Sequence, residues 1–221
     1  MNQQPQSNRR GHFWSIILAL IIGLIGTAWG LYNQKNAQPQ EPPLPQAGTG
    51  LTVYFLPAEE GQCVLVTCDG NALLLDGGGG SFGQDAADFL RSRKVQRIDL
   101  LVSSRPDEAY SGGLGTVVQN FPVRNVWASA QPAGAFADAL GAAGKTAAVP
   151  EDGETFALGS AEATARVTDQ GVILLEFAYG DTHCTVGGAS DSADAIAPGA
   201  ADDVTVWVSD GERLVCLTAT D

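Results

Sequence analysis

Short apolar runs separated by turn residues dominate the middle of the chain. The runs at 51–57, 63–68 and 71–76 have the length and the Val/Leu-rich composition of β-strands. Asp69-Gly70-Asn71 lies between the last two and predicts a hairpin. A wholly apolar run at 98–103 predicts a further, buried strand.

The rest of the pattern alternates between helix and strand and then changes to strand alone. Helical spacing is found at 84–94 and at about 113–120 and 132–143, with strands predicted at 123–128 and 146–149. From residue 155 onward the pattern predicts strands at 155–159, 163–168, 171–180, 182–188, 203–209 and 214–220. This order indicates a mixed α+β domain in which a βαβ layer faces a second sheet.

Residues 13–32 form twenty consecutive positions without a charge. At about 1.5 Å per residue, a helix of this length spans roughly 30 Å, the thickness of a bilayer core. Trp14 and Trp29 lie near its ends, as interfacial aromatic residues do. An Arg-Arg pair precedes it, so we expect a single-pass protein of the cell membrane with residues 1–12 in the cytoplasm and the body extracytoplasmic. A cleaved signal peptide, and hence a secreted protein, is the alternative.

The remainder divides into a linker and one folded domain. Residues 33–50 are rich in Pro and Gln and are expected to form an extended tether. The net charge of the chain is −13, and residues 1–50 contribute three basic residues and one acidic residue, so residues 51–221 carry −15. A domain this acidic repels a polyphosphate backbone, which makes nucleic acid an unfavourable partner. The expected partners are the membrane, through the N-terminal helix, and a protein at the cell surface.

Basic, histidine and cysteine residues limit the chemistry further. The basic cluster from Arg91 to Arg97 is either the solvated end of a helix or an anion site. Only His12 and His183 are present, although imidazole is the commonest transition-metal ligand. The cysteines contain no CxxC pair, which excludes a zinc ribbon and a thioredoxin motif. Cys63 and Cys68 would lie on opposite faces of one strand. The four cysteines are at positions 63, 68, 184 and 216. In an extracytoplasmic domain they could form one or two disulfides or remain as buried free thiols.

Candidate site residues are concentrated in the loop after the strand at 98–103. Residues 104–113 read SRPDEAYSGG and hold Arg105, Asp107, Glu108 and Tyr110 in one short turn. The carboxyl end of a buried strand that leads into a helix is where α/β proteins place binding and catalytic groups.

Several segments together resemble the metallo-β-lactamase fold family. They are LLLDGGGG at 73–80, IDLLVSS at 98–104, the loop that ends in Gly112-Gly113, and Val126-Trp127. Within that family, the chain resembles the extracytoplasmic domain of ComEC, the DNA-uptake competence protein. The resemblance implies a four-layer αββα sandwich with a metal site at the sheet edges. The C-terminal hairpin would then be either altered or shortened.

The family's metal-binding loop has the form Ser-His-Pro-Asp-x-Asp-His-x-Gly-Gly, and this chain departs from it. Arg105 stands at the first histidine, Asp107 keeps the first aspartate, Ala109 stands at the second aspartate, and Tyr110 stands at the last histidine. The family's Thr-Gly-Asp element falls on 186–188, where the sequence is Val-Gly-Gly. Asp76 matches a residue that supports the metal ligands in the family.

The chemistry of the substituted positions is unfavourable for a metal ion. Arginine has no free lone pair, alanine has no donor, and tyrosine binds a metal only as phenolate, with a reference pKa of about 10. We therefore expect a vestigial site of Asp76, Arg105, Asp107, Glu108 and Tyr110, with no assigned catalytic residue and no cofactor. Arg105 is expected to form an ion pair with Asp107 and Glu108, and Asp76 to accept backbone N–H groups of the glycine loop.

Two functions remain open on the sequence. The first is a ComEC-like pseudoenzyme, anchored in the membrane, that acts as a binding or scaffolding module without a metal. The alternative is an active, phosphodiesterase-like hydrolase with a rearranged site. That site would hold zinc or another divalent metal through Asp107, Glu108 and His183, of which Asp107 and His183 are the remaining candidate metal ligands.

Overall fold

The computed structural model describes residues 50–187 and, as backbone, the two strands at 205–209 and 214–217. The predicted tail, membrane span and almost all of the tether lie outside the described residues. Among the helices of the described part, none is long and apolar enough to cross a membrane.

Two β-sheets and a helical layer make up the described domain. The strands are β1 Leu51–Phe55, β2 Val64–Cys68, β3 Asn71–Leu75, β4 Ile98–Ser103, β5 Val123–Ala128, β6 Thr155–Leu158, β7 Ala161–Val167, β8 Ile173–Tyr179, β9 Thr182–Val186, β10 Thr205–Ser209 and β11 Leu214–Leu217. The helices are α1 Gly83–Ser92, α2 Glu108–Ser111, α3 Leu114–Asn120 and α4 Gly134–Ala142, and a 3₁₀ turn at Gly80–Phe82 precedes α1. The predicted α+β class is confirmed.

The large sheet has the strand order β11-β10-β1-β2-β3-β4-β5. Strands β3, β4 and β5 are parallel, and the other pairs are antiparallel. The register places the first residues of β1, β3, β4 and β5 and the last residue of β2 in one row (Leu51, Asn71, Ile98, Val123 and Cys68). We call this side of the sheet the entry end, because the chain enters the domain there. The opposite side, where β3 and β4 finish, is the loop end.

Both faces of the large sheet are covered, which explains the continuous apolar runs of its strands. Alternate residues point to opposite faces, so Val66 and Leu100 pack against the small sheet, β6-β7-β8-β9. Their neighbours Leu65 and Leu101 pack against the helices. Each fully buried leucine contributes roughly 1.5–3 kcal/mol of hydrophobic stabilisation. The two cores together hold the loop end in place.

The structure differs from the predictions in two places. The predicted strand at 146–149 forms only one bridge, between Ala148 and Trp127. The predicted loop contains the short helix α2. In the described residues the helices pack on the face of the large sheet that lies away from the small sheet.

Candidate functional site

Three segments meet at the loop end: 56–62 after β1, 77–80 after β3, and 104–113 after β4. Their backbones hydrogen-bond directly. Gly77 N–H donates to the Tyr110 carbonyl at 2.8 Å, and Gly78 N–H donates to the Gln62 carbonyl at 2.9 Å. These bonds hold the segment with the candidate residues at a fixed distance from the glycine loop.

Glycines allow the backbones to approach this closely. A Cβ on Gly113 would lie 2.1 Å from the carbonyl oxygen of Gly77. A Cβ on Gly61, which has φ +71°, would lie 1.8 Å from the carbonyl oxygen of Ala109. No side chain fits in either place, so the geometry of the loop end depends on the absence of a Cβ.

Asp76 lies at the centre of the loop end and is fully buried. Its Oδ1 accepts the backbone N–H of Ser104 at 2.7 Å. Its Oδ2 accepts the Ser104 hydroxyl at 2.6 Å and the Gln62 side-chain amide at 2.7 Å. The predicted acceptor role is confirmed. The predicted donors are wrong, because Ser104 and Gln62 donate to the carboxylate, and the N–H groups of the glycine loop do not.

Burial changes the ionisation of this carboxyl group. Loss of solvation raises the pKa of Asp76 from its ordinary 3.8 to about 7. The hydrogen bonds from Ser104 and Gln62, and the nearby charge of Arg105, favour the ionised form and lower the pKa, but they do not outweigh the burial. Asp76 also has φ +59°, in the left-handed region that aspartate tolerates better than most residues.

Arg105 packs on Tyr110 and does not form the predicted ion pair. Its guanidinium carbon lies 4.5 Å from the centre of the Tyr110 ring, a cation–π contact. Within the described residues, no ion pair joins Arg105 to a carboxylate. Its Nε is buried and has no hydrogen-bond partner in that part of the chain. The expected pairing with Asp107 and Glu108 is therefore wrong.

Asp107 and Glu108 lie on the outside of the loop and are exposed. Asp107 precedes α2, and its backbone carbonyl accepts N–H groups from Tyr110 and Ser111 at 2.9 Å each. A Cβ on Gly80 would lie 3.0 Å from Oε1 of Glu108, so this carboxylate lies against the glycine loop. Among the described residues, these two carboxylates and His183 do not form a metal-binding group.

His183 is exposed on the outer face of the small sheet. The adjacent Cys184 points into the core between the sheets, so the histidine points away from it. It lines a shallow groove with Glu162, Arg166 and Glu176. It lies four positions before Gly187, roughly 13 Å along a strand. The structure therefore does not bring it to the loop end.

The segment that matches the family's Thr-Gly-Asp does reach the loop end. A Cβ on Gly187 would lie 3.2 Å from the Leu75 side chain and 3.6 Å from Nε2 of Gln62. Ile173 N–H, at the start of the neighbouring strand, donates to the Ser104 carbonyl at 3.0 Å. Val186 and Gly187 carry no donor side chain, and position 188, which matches the aspartate, lies outside the described residues.

The described cysteines are buried on both sides of the large sheet, and Cys63 and Cys68 are free thiols. Cys63 lies in the core under the helices, and Cys68 and Cys184 lie in the core between the sheets. Cys63 and Cys68 are therefore on opposite faces, as predicted. Burial raises the pKa of the Cys63 thiol far above its ordinary value, so this thiol is unreactive at neutral pH.

Comparison with known proteins gives matches in structure alone. No protein-family model matches the sequence, and no curated protein matches it. MEM-A1, a subclass B3 metallo-β-lactamase isolated from a soil metagenome library, matches with a TM-score of 0.50 and 20% identity, over 66% of this chain and 62% of its own. The fold is that of the metallo-β-lactamases.

Two further neighbours support this fold. The metallo-β-lactamase SMB-1, bound to 2-mercaptoethanesulfonate, matches with a TM-score of 0.50 and 18% identity, over 72% of this chain and 68% of its own. A HARLDQ-motif mutant metallo-β-lactamase from Cronobacter sakazakii matches with a TM-score of 0.51 and 15% identity, over 66% of each chain. Identities this low establish the fold alone, and the match spans less than two thirds of the MEM-A1 chain.

The metallo-β-lactamase fold implies a metal centre at the loop end, and the donor groups here do not suit one. Arg105 is a permanent cation without a lone pair, and it lies on the Tyr110 ring. Both oxygens of Asp76 already accept hydrogen bonds. Among the described residues, no three His, Cys, Asp or Glu side chains are close enough together to hold a metal ion. We therefore assign no reaction step that passes through a metal.

Sequence reasoning did not identify Ser104 and Gln62 as part of this site. Ser104 is the first residue after β4, and its position at a strand end is the one signal that points to it. Gln62 lies fourteen residues before Asp76, and nothing local in the sequence connects the two.

Proposed function

We propose that this domain is a metallo-β-lactamase-fold pseudoenzyme that acts as a binding or scaffolding module without a metal. The observation that carries the proposal is the packing of Arg105 on Tyr110, at the two positions where the family resemblance expects histidine ligands. A cation beside a divalent metal costs several kcal/mol even at an effective dielectric of about 20. The same cation, without a carboxylate partner in the described residues, suits an anionic group of a bound molecule.

The proposal includes a place for the domain. We propose that residues 13–32 anchor the chain in the cell membrane, that residues 1–12 lie in the cytoplasm, and that the domain lies outside, as in the ComEC-like arrangement that the sequence resembles. The apolar span and the arginine pair before it support this arrangement. A protein at the cell surface is the partner that this arrangement favours.

Metal content of the purified full-length chain tests the proposal. After incubation with zinc and dialysis, we expect the chain to retain far less than one zinc, iron or manganese ion, measured by elemental analysis. A second variant restores the family loop through Arg105→His, Ala109→Asp and Tyr110→His, and should gain metal. A matched control with Arg105→Gln, Ala109→Asn and Tyr110→Phe should not. Retention of a stoichiometric metal by the unaltered chain would overturn the proposal.

The alternative, an active metal-dependent hydrolase, needs Asp107, Glu108 and His183 at one point. The structure places His183 on the outer face of the small sheet, away from the other two. Hydrolysis of a chromogenic phosphodiester that a chelator and Asp107→Ala both abolish would nevertheless establish that activity.

A further inference from the structure

Two edge strands lie side by side on one side of the domain. Strand β5 ends the large sheet and β6 ends the small sheet. The rings of Trp127 on β5 and Phe156 on β6 meet edge to face, with their centres 6.1 Å apart. An edge strand leaves the N–H and C=O groups of alternate residues without a partner in its own sheet, so another chain can pair with it. The two edges differ in how these groups are used.

The edge of β5 is closed by the chain that precedes β6. The Ala128 N–H donates to the Ala148 carbonyl, and the Ala148 N–H donates to the Val126 carbonyl, each at 2.9 Å. Lys145 Nζ donates to the Arg124 carbonyl at 3.2 Å. Groups of β5 that point away from the sheet are therefore already hydrogen-bonded, as in natural sheets that protect an edge.

The edge of β6 is open. A two-residue turn joins β6 to β7, so the flanking residues Leu158 and Ala161 form a hydrogen-bonded pair. Hydrogen-bonded and non-hydrogen-bonded pairs alternate along antiparallel strands, so the N–H and C=O groups of Thr155 and Ala157 point away from β7. Both residues are exposed. Among the described residues, none forms a hydrogen bond with these four backbone groups.

The side chains of β6 do not prevent pairing with a further strand. Thr155 and Ala157 are small and uncharged, and the strand contains no proline and no break in its register with β7. Phe156 points inward and is only partly buried where it packs against the core between the sheets. Val149, in the segment that leads to β6, is 64% exposed. An added strand would therefore find apolar contacts on its inward face.

Charge around this edge is negative. The segments 122–128 and 144–168 form this side of the domain and carry three cations and four carboxylates. Two of the cations are ion-paired with carboxylates outside these segments, Arg124 with Asp99 and Arg166 with Glu176. Lys145 remains against the four carboxylates, which are Glu151, Asp152, Glu154 and Glu162. Basic residues on an added strand would complement this surplus.

We propose that the β6 edge binds an extended segment of a partner protein, in which basic and apolar residues alternate, as an antiparallel fifth strand of the small sheet. Residues opposite Ala157 would project to the outer face, where a long basic side chain can pass over this alanine toward Glu162 on β7. Residues opposite Phe156 would point inward and pack on its ring. Backbone hydrogen bonds supply the remaining attraction.

A second copy of the chain is a poorer occupant than a basic partner. Residues 51–221 carry −15, so two copies repel each other. The inference goes beyond the proposed function, because none of the backbone groups or carboxylates that carry it belongs to the vestigial site. It therefore stands whether or not the loop end holds a metal.

Amide hydrogen exchange of the unbound full-length chain, followed residue by residue by NMR, tests whether the edge is open. The amide of Ala157 should exchange fast, since its N–H points away from β7. The amide of Phe156 should exchange slowly, because it faces β7, and so should that of Ala128, which donates to Ala148. Slow exchange at Ala157 in the unbound monomer would overturn the inference, because the edge would already be covered.

An eight-residue peptide of alternating Lys and Val tests the partner chemistry. We expect it to slow exchange at Ala157 several-fold and to leave Ala128 unchanged. In the proposed pairing the lysines lie opposite Thr155 and Ala157 and exchange backbone hydrogen bonds with them. Methylation of the lysine amide nitrogens should therefore abolish binding, whereas methylation of the valine amide nitrogens should not. Equal effects of the two methylated peptides would contradict strand pairing.

Two variants at one position provide a matched comparison in the chain itself. Ala157→Pro removes the outward N–H and leaves the bonds to β7 intact, as proline does on edge strands. It should weaken binding of the Lys-Val peptide about fivefold. Ala157→Val keeps the N–H and should keep the affinity. Equal affinities would contradict the proposal, and the methylated peptides decide the question if the proline variant does not fold.

Two further outcomes would assign the edge to a different occupant. If an alternating Glu-Val peptide binds as tightly as the Lys-Val peptide, the inference of a basic partner is wrong. If the unbound chain dimerises in analytical ultracentrifugation, and Ala157 becomes protected only at concentrations where the dimer forms, the occupant is a second copy and the inference is likewise wrong.

Discussion

Ser104 donates both its backbone N–H and its hydroxyl to the carboxylate of Asp76, over 2.7 and 2.6 Å. The two residues are 28 positions apart and are both almost completely buried. This pair joins the end of β3 to the loop after β4. In this domain the buried aspartate thus connects two parts of the backbone, and its two oxygens together accept three hydrogen bonds.

Ser104→Ala should lower the free energy of unfolding by about 1.5–3 kcal/mol at pH 8, because a buried carboxylate loses a hydroxyl donor. Urea denaturation measures the change. Ser111→Ala is the control, since that hydroxyl lies within hydrogen-bond distance of the Pro106 and Asp107 carbonyls in an exposed setting, and it should cost less than about 1 kcal/mol. Equal costs for the two variants would contradict a special role for Ser104.

Asp76 should make the domain less stable as the pH rises from about 4 to 7. The folded state holds the proton until the pKa of about 7, whereas the unfolded chain releases it near 3.8, so the folded state binds more protons in this range. The stabilisation is complete below about pH 4 and is lost as the pH passes 7, a change of roughly 4 kcal/mol. Asp76→Asn removes the titration and suits the left-handed backbone. Subtracting its urea-derived stability profile from that of the unaltered chain isolates the effect, and a flat difference would contradict it.

Arg105→Gln should raise the pKa of Asp76 above about 7, because the Arg105 charge favours the ionised carboxylate. The ¹³C shift of the Asp76 carboxyl carbon, followed by NMR against pH, measures the midpoint. Arg166→Gln removes an arginine elsewhere and should leave the midpoint unchanged. A midpoint unaffected by Arg105→Gln would mean that the two groups are farther apart than the structure places them.

Gly61→Ala should destabilise the domain by more than about 3 kcal/mol, since its Cβ would overlap the Ala109 carbonyl oxygen. Gly70→Ala is the matched control. Gly70 has a similar φ of +78° and nothing within 4 Å of the added Cβ. The left-handed backbone conformation is therefore the one source of destabilisation, about 1–2 kcal/mol of unfolding free energy. Thermal or urea unfolding of both variants would separate close contact from backbone strain. Similar losses in both would show that the loop end can move apart.

The strands of the large sheet were predictable because burial on both faces requires a continuous run of apolar residues in each strand. Leu100 and Leu101 must both be apolar, since one faces the small sheet and the other faces the helices. The strand predicted at 146–149 did not form, because its residues are not buried on both faces. Its Val149 is 64% exposed, and a single bridge at Ala148 is all that joins the segment to β5.

Sequence alone determined most of the described elements, the α+β class and the substitutions that remove metal donors, because periodicity and side-chain chemistry are local properties. Tertiary structure decided which groups meet. It gave Arg105 an aromatic ring in place of a carboxylate, supplied Asp76 with Gln62 and Ser104, and brought the Lys145 side chain to the Arg124 carbonyl. These contacts depend on how segments far apart in the chain pack together, and local sequence patterns do not predict that packing.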